Sequence, residues 1–171
     1  MRKIPVFVSC PTTLSVEQEE KRKVIIGIIN DLQLEPRALG RSDYPTEYPL
    51  KEVYIIAKHC SGGVILGFEQ IFVDSGLRKR NTGEEKRILV DKPLLIPTPW
   101  NHLEAGILFG LKIPLLIFKE DGIEGGVFDY GITDVFIHKM PPVKPPKEKL
   151  DELRQVFLDW FGRVSIKYHE Y

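Results

Sequence analysis

The sequence predicts a single α/β domain: an open, doubly wound, mostly parallel sheet of about five strands, with an inserted loop or hairpin and a C-terminal helix. Three observations carry this. Short runs rich in Val, Ile and Phe, such as "IPVFVSC" (4–10) and "GGVILGF" (62–68), have the continuous hydrophobicity of strands buried on both faces. Helical patterns alternate with these runs, giving β-α-β-α-β by residue 68. The 171 residues suffice for one real core and are few for two, so residues 1–171 are read as one domain.

The elements follow in order. "IPVFVSC" is a buried strand that ends at Pro11. "LSVEQEEKRKVIIGIINDLQ" is a helix of about five turns, with Ser15 as N-cap, acids in its first turn and a stripe through Val24, Ile25, Ile28, Ile29 and Leu32. "LEPRAL" (34–39) is a strand that Pro36 assigns to an edge. "GRSDYPTEY" (40–48), with Gly40, Arg41, Asp43 and Pro45, is a polar loop. "PLKEVYIIAKHC" (49–60) opens with proline at the first helical position. Residues 69–97 form the insertion. Its flanks "EQIFVDSG" and "ILVDKPLLIP" can pair as a hairpin around the charged turn "RKRNTGEEKR".

"TPWNHLEAGILFG" is a helix capped by Thr98, with Pro99 at N1 and Gly110 near its stop. "KIPLLIF" (112–118) and "DVFIHKM" (134–140) are strands, separated by the loop-like "DGIEGG". "PPVKPP" (141–146) is a stiff connector. It leads to a helix over 147–162, whose stripe of Leu150, Leu153, Val156, Phe157, Trp160 and Phe161 packs on the sheet or on another subunit; "VSIKYHEY" reads as a tail.

Zero formal net charge and a pI near 6.9 argue against a nucleic-acid partner. No apolar run approaches the ~20 residues of a membrane span, and the N-terminal run is too short for a signal peptide. Cys10 and Cys60, far apart, read as free thiols in a reducing compartment. The expectation is a cytoplasmic protein without a membrane partner.

In doubly wound sheets ligands bind at the carboxyl ends of the strands. Those ends offer Ser9, Cys10, Thr12 and Thr13, then the Arg41–Tyr44 loop, then Phe68–Gln70. The start of the 98–110 helix joins them if the insertion returns to that edge. Trp100 and Glu104, at i and i+4, share a helix face bordering the apolar stripe. A carboxylate in such a setting is either functional, with a raised pKa, or a partly exposed residue near the helix N-terminus. "SCPTT" is either an anion-binding turn or an ordinary capping loop. Arg37 and Arg41 with Asp43 either hold a phosphate or ribose or form a solvated loop. His102 points away from Glu104, and the His59–Cys60 pair is no metal site. Cys10 lacks a base beside it and is read as a structural or pocket-lining thiol.

Four stretches carry a resemblance. "VFVSC", "ALGRSDYPTEYPLKEVYIIAKHCSGGVIL", "PWNHLEAG" and "LKIPLLIFKEDG" resemble, in order, the strands, loop and helices of TIR domains. The chain is similar, more loosely, to nucleoside 2-deoxyribosyltransferase-like proteins through Glu104, Gly106, Gly110 and Pro114. The resemblance spans most of residues 4–140; residues 69–97 are longer than the corresponding TIR connection. It implies a flavodoxin-like fold and cleavage of an N-glycosidic bond by Glu104. NAD is then the substrate rather than a cofactor, and no metal is required. Phe7, Ser9, Cys10, Arg41, Asp43 and Trp100 are the implied nucleotide contacts. It also implies self-association, with the 147–162 helix as one candidate interface, and a setting in antiviral defence or nucleotide signalling. A deoxyribosyltransferase or N-hydrolase, and a non-catalytic nucleotide-binding or assembly module, are the alternatives.

Overall fold

The computed structural model describes residues 3–44 and 46–170; Pro45 of the polar loop lies outside them. Five strands form the main sheet: β1 (Ile4–Ser9), β2 (Leu34–Arg37), β3 (Gly62–Gly67) and, after the insertion, β8 (Leu115–Lys119) and β9 (Ile137–Lys139). They are all parallel and lie in the order β2-β1-β3-β8-β9. This is the flavodoxin-like order, with its switch point between β1 and β3. β2 is an edge strand, as its proline requires, and Pro36 lies opposite Val6.

Side-chain alternation sorts the strands into two cores. Val6 and Val8, Val64 and Leu66, and Leu116 and Phe118 pack beneath α1 (Val16–Asp31) and α4 (Lys147–Tyr168). Phe7, Ile65, Leu115 and Ile117 face α2 (Pro49–Lys58) and α3 (Pro99–Gly110). The parity matters for the site: Ser9, two residues after Phe7, falls on the α3 side.

Helix starts follow their sequence signals. Ser15 closes a capping box on α1, its hydroxyl accepting from Gln18 N at 3.1 Å while the Gln18 side chain accepts from Ser15 N at 3.1 Å. Thr98 caps α3 ahead of Pro99.

The insertion is a two-stage antiparallel arm. Its base pairs β4 (Ile71–Val73) with β7 (Leu94–Ile96), and its outer part pairs β5 (Gly76–Arg78) with β6 (Lys86–Ile88). Leu95 bridges to Ile123 and so anchors the base. The arm leaves from the carboxyl end of β3 and brings the chain back to the start of α3 at the same edge.

Two expectations are corrected. The last helix does not stop at 162 but runs to Tyr168, because Val164 continues the buried stripe of Phe157 and Trp160. That stripe packs on the sheet of its own chain, the first of the two packings expected for it. Trp160 lies so close to Gly62 of β3 that a Cβ there would sit 2.6 Å from its ring, and its Nε1 donates to Pro114 O at 3.0 Å. Strand β8 begins at Leu115 rather than 112, because Lys112 takes a positive φ of 55° that turns the chain out of α3. Among the described residues no helix is long and apolar enough to cross a membrane.

Candidate functional site

Helix α3 turns its Asn101–Glu104–Ala105–Leu108 stripe inward, at helical spacing. Glu104 therefore lies within the buried stripe rather than beside it, and is 8% exposed. Leu103 points outward, and Trp100 stands half-exposed one turn before Glu104. The start of α3 sits over the carboxyl end of β1, next to the switch point, where Asn101 Nδ2 donates to Ser9 Oγ at 2.7 Å.

A cleft of about 320 Å³ opens at this edge. Cys10, Pro11 and Thr12 form one side, Leu39, Gly40 and Pro49 another, and Gln70, Thr98, Trp100 and Glu104 the rest. The volume lies near the lower end for small-molecule sites, about 300 Å³. Among the described residues Glu104 is the one carboxylate in this lining, and no lysine or arginine joins it. Burial pushes the Glu104 carboxyl up from its ordinary 4.5 to about 7; the Ser9 hydroxyl, as a hydrogen-bond donor, acts in the opposite sense. Cys10 shares the cleft, but burial pushes its thiol up to about 11, so it stays protonated and is no nucleophile at neutral pH. It is a free thiol, as is Cys60.

A larger hollow, about 630 Å³, lies along the same sheet edge beside Gln18, Lys21 and Glu120. Its central carboxylate is already satisfied. Glu120 accepts from Glu69 N–H at 2.8 Å, Gln18 Nε2 at 3.0 Å and Lys21 Nζ at 3.5 Å. Among the described residues Glu104 has no cationic partner, which makes its cleft the stronger candidate.

The structure brings together Ser9, Cys10, Trp100 and Glu104, and separates the other expected contacts from them. Phe7 is wholly buried in the α2/α3 core and does not reach the cleft. Arg41 is spent inside the fold. Its guanidinium donates to Pro11 O at 2.8 and 3.1 Å and pairs with Glu19 at 3.1 Å, bracing the loop that forms one cleft wall. Asp43 pairs with Arg37, whose Nε donates to both carboxylate oxygens at 2.8 and 2.9 Å. Burial alone would raise the Asp43 pKa, but hydrogen bonds from Arg37 and Ser42 hold it below the usual range. Neither residue lines the cleft. His102 turns away, as expected: it packs edge-on to Phe128 with centroids 5.5 Å apart. Among the described residues no cluster of His, Cys, Asp and Glu could hold a metal ion.

Asn101 is the residue that sequence reasoning missed. It is fully buried beneath the cleft, and its Oδ1 has no partner. The available signal was its place three residues before Glu104, on the same face.

Gly40 shapes the wall opposite Trp100. Its φ of +75° suits glycine, and a Cβ would lie 2.8 Å from Thr12 Cγ2. Gly40→Ala is expected to cost about 1–2 kcal/mol of stability, measurable by urea unfolding. A loss near zero would show that this wall yields freely.

Comparison of the chain with protein-family models, with curated proteins and with solved structures finds no match.

Proposed function

We propose that the protein is a TIR-like N-glycosidase that cleaves the ribosyl–nicotinamide bond of NAD, by hydrolysis or cyclisation. The observation that carries this is the solitary buried Glu104 carboxyl in the cleft at the switch point. Breaking a ribosyl–nitrogen bond builds positive charge on the anomeric carbon. A carboxylate beside it stabilises that charge, or attacks it to give a ribosyl ester that water or an internal nucleophile then resolves.

A single carboxylate suits this leaving group. Nicotinamide departs from a cationic ring and needs no proton, so Glu104 works ionised and no second acid is demanded. A neutral purine or pyrimidine departs well only when protonated, and the neighbouring Cys10 thiol is too weak an acid for that work at neutral pH. Trp100 offers a half-exposed aromatic wall against which a flat ring can stack.

Two observations favour a second reading, a nucleoside N-hydrolase or deoxyribosyltransferase. Among the described residues the cleft has no lysine or arginine to meet a pyrophosphate. Its volume also accommodates one nucleoside more readily than a whole dinucleotide. A non-catalytic module that only binds a nucleotide is the third reading.

Chromatography of products separates them. The protein is incubated at high and low concentration with NAD, with nicotinamide riboside and with a nucleoside mixture, since a self-associating enzyme is active only when concentrated. Nicotinamide release from NAD is the expected result. Base release from nucleosides with NAD inert would replace this reading by the second. Binding without turnover at both concentrations would leave the third.

A further inference from the structure

We propose that Asn101 is a positioning residue for Glu104: by donating to Ser9 Oγ, its amide turns the Ser9 hydroxyl hydrogen toward the Glu104 carboxyl. The inference rests on the reading of Glu104 as the catalytic carboxylate and adds two residues to it.

The hydrogen bonds to Ser9 have a fixed direction. Asn101 Nδ2 lies 2.7 Å from Ser9 Oγ and 3.5 Å from Ser9 O. A backbone carbonyl can only accept, so the amide must present its NH2 group, not its oxygen, to Ser9. Ser9 Oγ thus takes a hydrogen from Asn101 and has its own hydrogen left to give. Both residues are fully buried, so water does not compete for it. Glu104 lies three residues on from Asn101 along the same inward stripe of α3, and the Ser9 hydroxyl holds its carboxyl pKa down against the effect of burial.

Asn101 Oδ1, meanwhile, is buried with no partner. An orphaned acceptor in a core is destabilising, and an apolar residue of the same shape would avoid the cost. The NH2 group of the same amide is the part that is used, on Ser9 Oγ at 2.7 Å. A hydroxyl whose donor direction is fixed beforehand also stabilises the carboxylate without reorganising during the reaction.

Other groups around Glu104 do not supply this effect. The rest of the inward α3 stripe is Asn101, Ala105 and Leu108, without charge. From the end of β1 comes the Cys10 thiol, which is protonated at neutral pH. In the loop after β2, Arg41 is turned to Pro11 O and Glu19, and Arg37 and Asp43 bind each other. The start of α2 and the arm contribute Pro49 and Gln70, which are neutral.

Titration of the Glu104 side-chain carboxyl by 13C NMR in ligand-free protein tests this, with Glu104→Gln assigning the resonance. Ser9→Ala is expected to raise the midpoint by about half to one pH unit, the worth of one lost hydrogen bond to a carboxylate. Asn101→Leu is expected to raise it by a smaller step of the same sign, and to add nothing once Ser9 is alanine; Asn101→Ala serves if leucine is not accommodated. An unmoved or lowered midpoint in Ser9→Ala or the Asn101 variant would overturn the proposal. So would an Asn101 shift that persists in full in the Ser9→Ala background, since Asn101 would then not act through Ser9. The readout needs no turnover, so failure of the glycosidase reading appears separately: product chromatography would be blank while the midpoints still moved.

Discussion

Glu104→Gln is expected to make the protein more stable above pH 7, by about 3 kcal/mol, while removing the carboxylate proposed to act in catalysis. The sign follows from linkage. Burial raises the Glu104 carboxyl from 4.5 to about 7, so the folded chain holds this proton more tightly than the unfolded chain. Between those two values the folded state carries more protons, and stability falls as pH rises through the window. Above pH 7 the full cost of a buried charge remains. At about 1.4 kcal/mol per pH unit, the interval amounts to roughly 3 kcal/mol. Glutamine removes the charge and keeps the shape. Below about pH 4.5 the two proteins should differ little, because both are neutral at this position. Urea unfolding at acid and alkaline pH measures the difference directly. Equal stabilities at both would mean that Glu104 is solvated like a surface carboxylate. A site that is costly to the fold is what a functional carboxylate in an apolar cleft implies.

The second large effect lies on the opposite face of the sheet. Trp160→Ala is expected to cost about 3–5 kcal/mol. Trp160 is fully buried, lies edge-on to Phe157 with centroids 5.9 Å apart, and rests on the bare backbone of Gly62. Alanine leaves a void that the β-sheet floor cannot fill, and removes one of the two hydrogen bonds that Pro114 O accepts. Against a typical total of about 5–15 kcal/mol this is a large fraction. The thermal midpoint should fall by roughly 10 °C or more. A change below about 1 kcal/mol would show that α4 contributes little to the core. The same packing explains why Phe157 and Trp160 are poor candidates for a subunit interface: they are already covered by their own sheet.

Much of the fold was legible because its strands are buried on both faces and so read as unbroken apolar runs. The arm was legible too, since two short β-prone stretches flank a charged turn. The end of the last helix was not: "VSIKYHEY" has no clean periodicity alone, and Val164 gains its meaning only as the next step after Phe157 and Trp160. The site was half legible. The spacing of Trp100 and Glu104, with the place of their helix in the strand order, pointed to the sheet edge where the cleft lies. Arg41 and Asp43 were expected at a ligand, but polar loops also need internal braces. Sequence does not reveal that Arg41 is consumed by Pro11 O and Glu19, or Asp43 by Arg37. Asn101 escaped notice because an asparagine in a first helical turn ordinarily reads as a cap or a surface residue, and burial beneath Ser9 is a tertiary fact.

The central claim is that Glu104, as a carboxylate, promotes loss of nicotinamide from NAD. The most direct measurement is the rate of nicotinamide release by wild type and Glu104→Gln, from about pH 5 to about pH 9, at a concentration that permits self-association. Release by the wild type should rise as Glu104 ionises, with a midpoint at or below about 7, because the cationic ring of the bound substrate favours the carboxylate. Glu104→Gln should be slower by at least roughly two to three orders of magnitude while remaining folded. Release by Glu104→Gln at the wild-type rate, or no release by folded wild type at any pH tested, would contradict the claim.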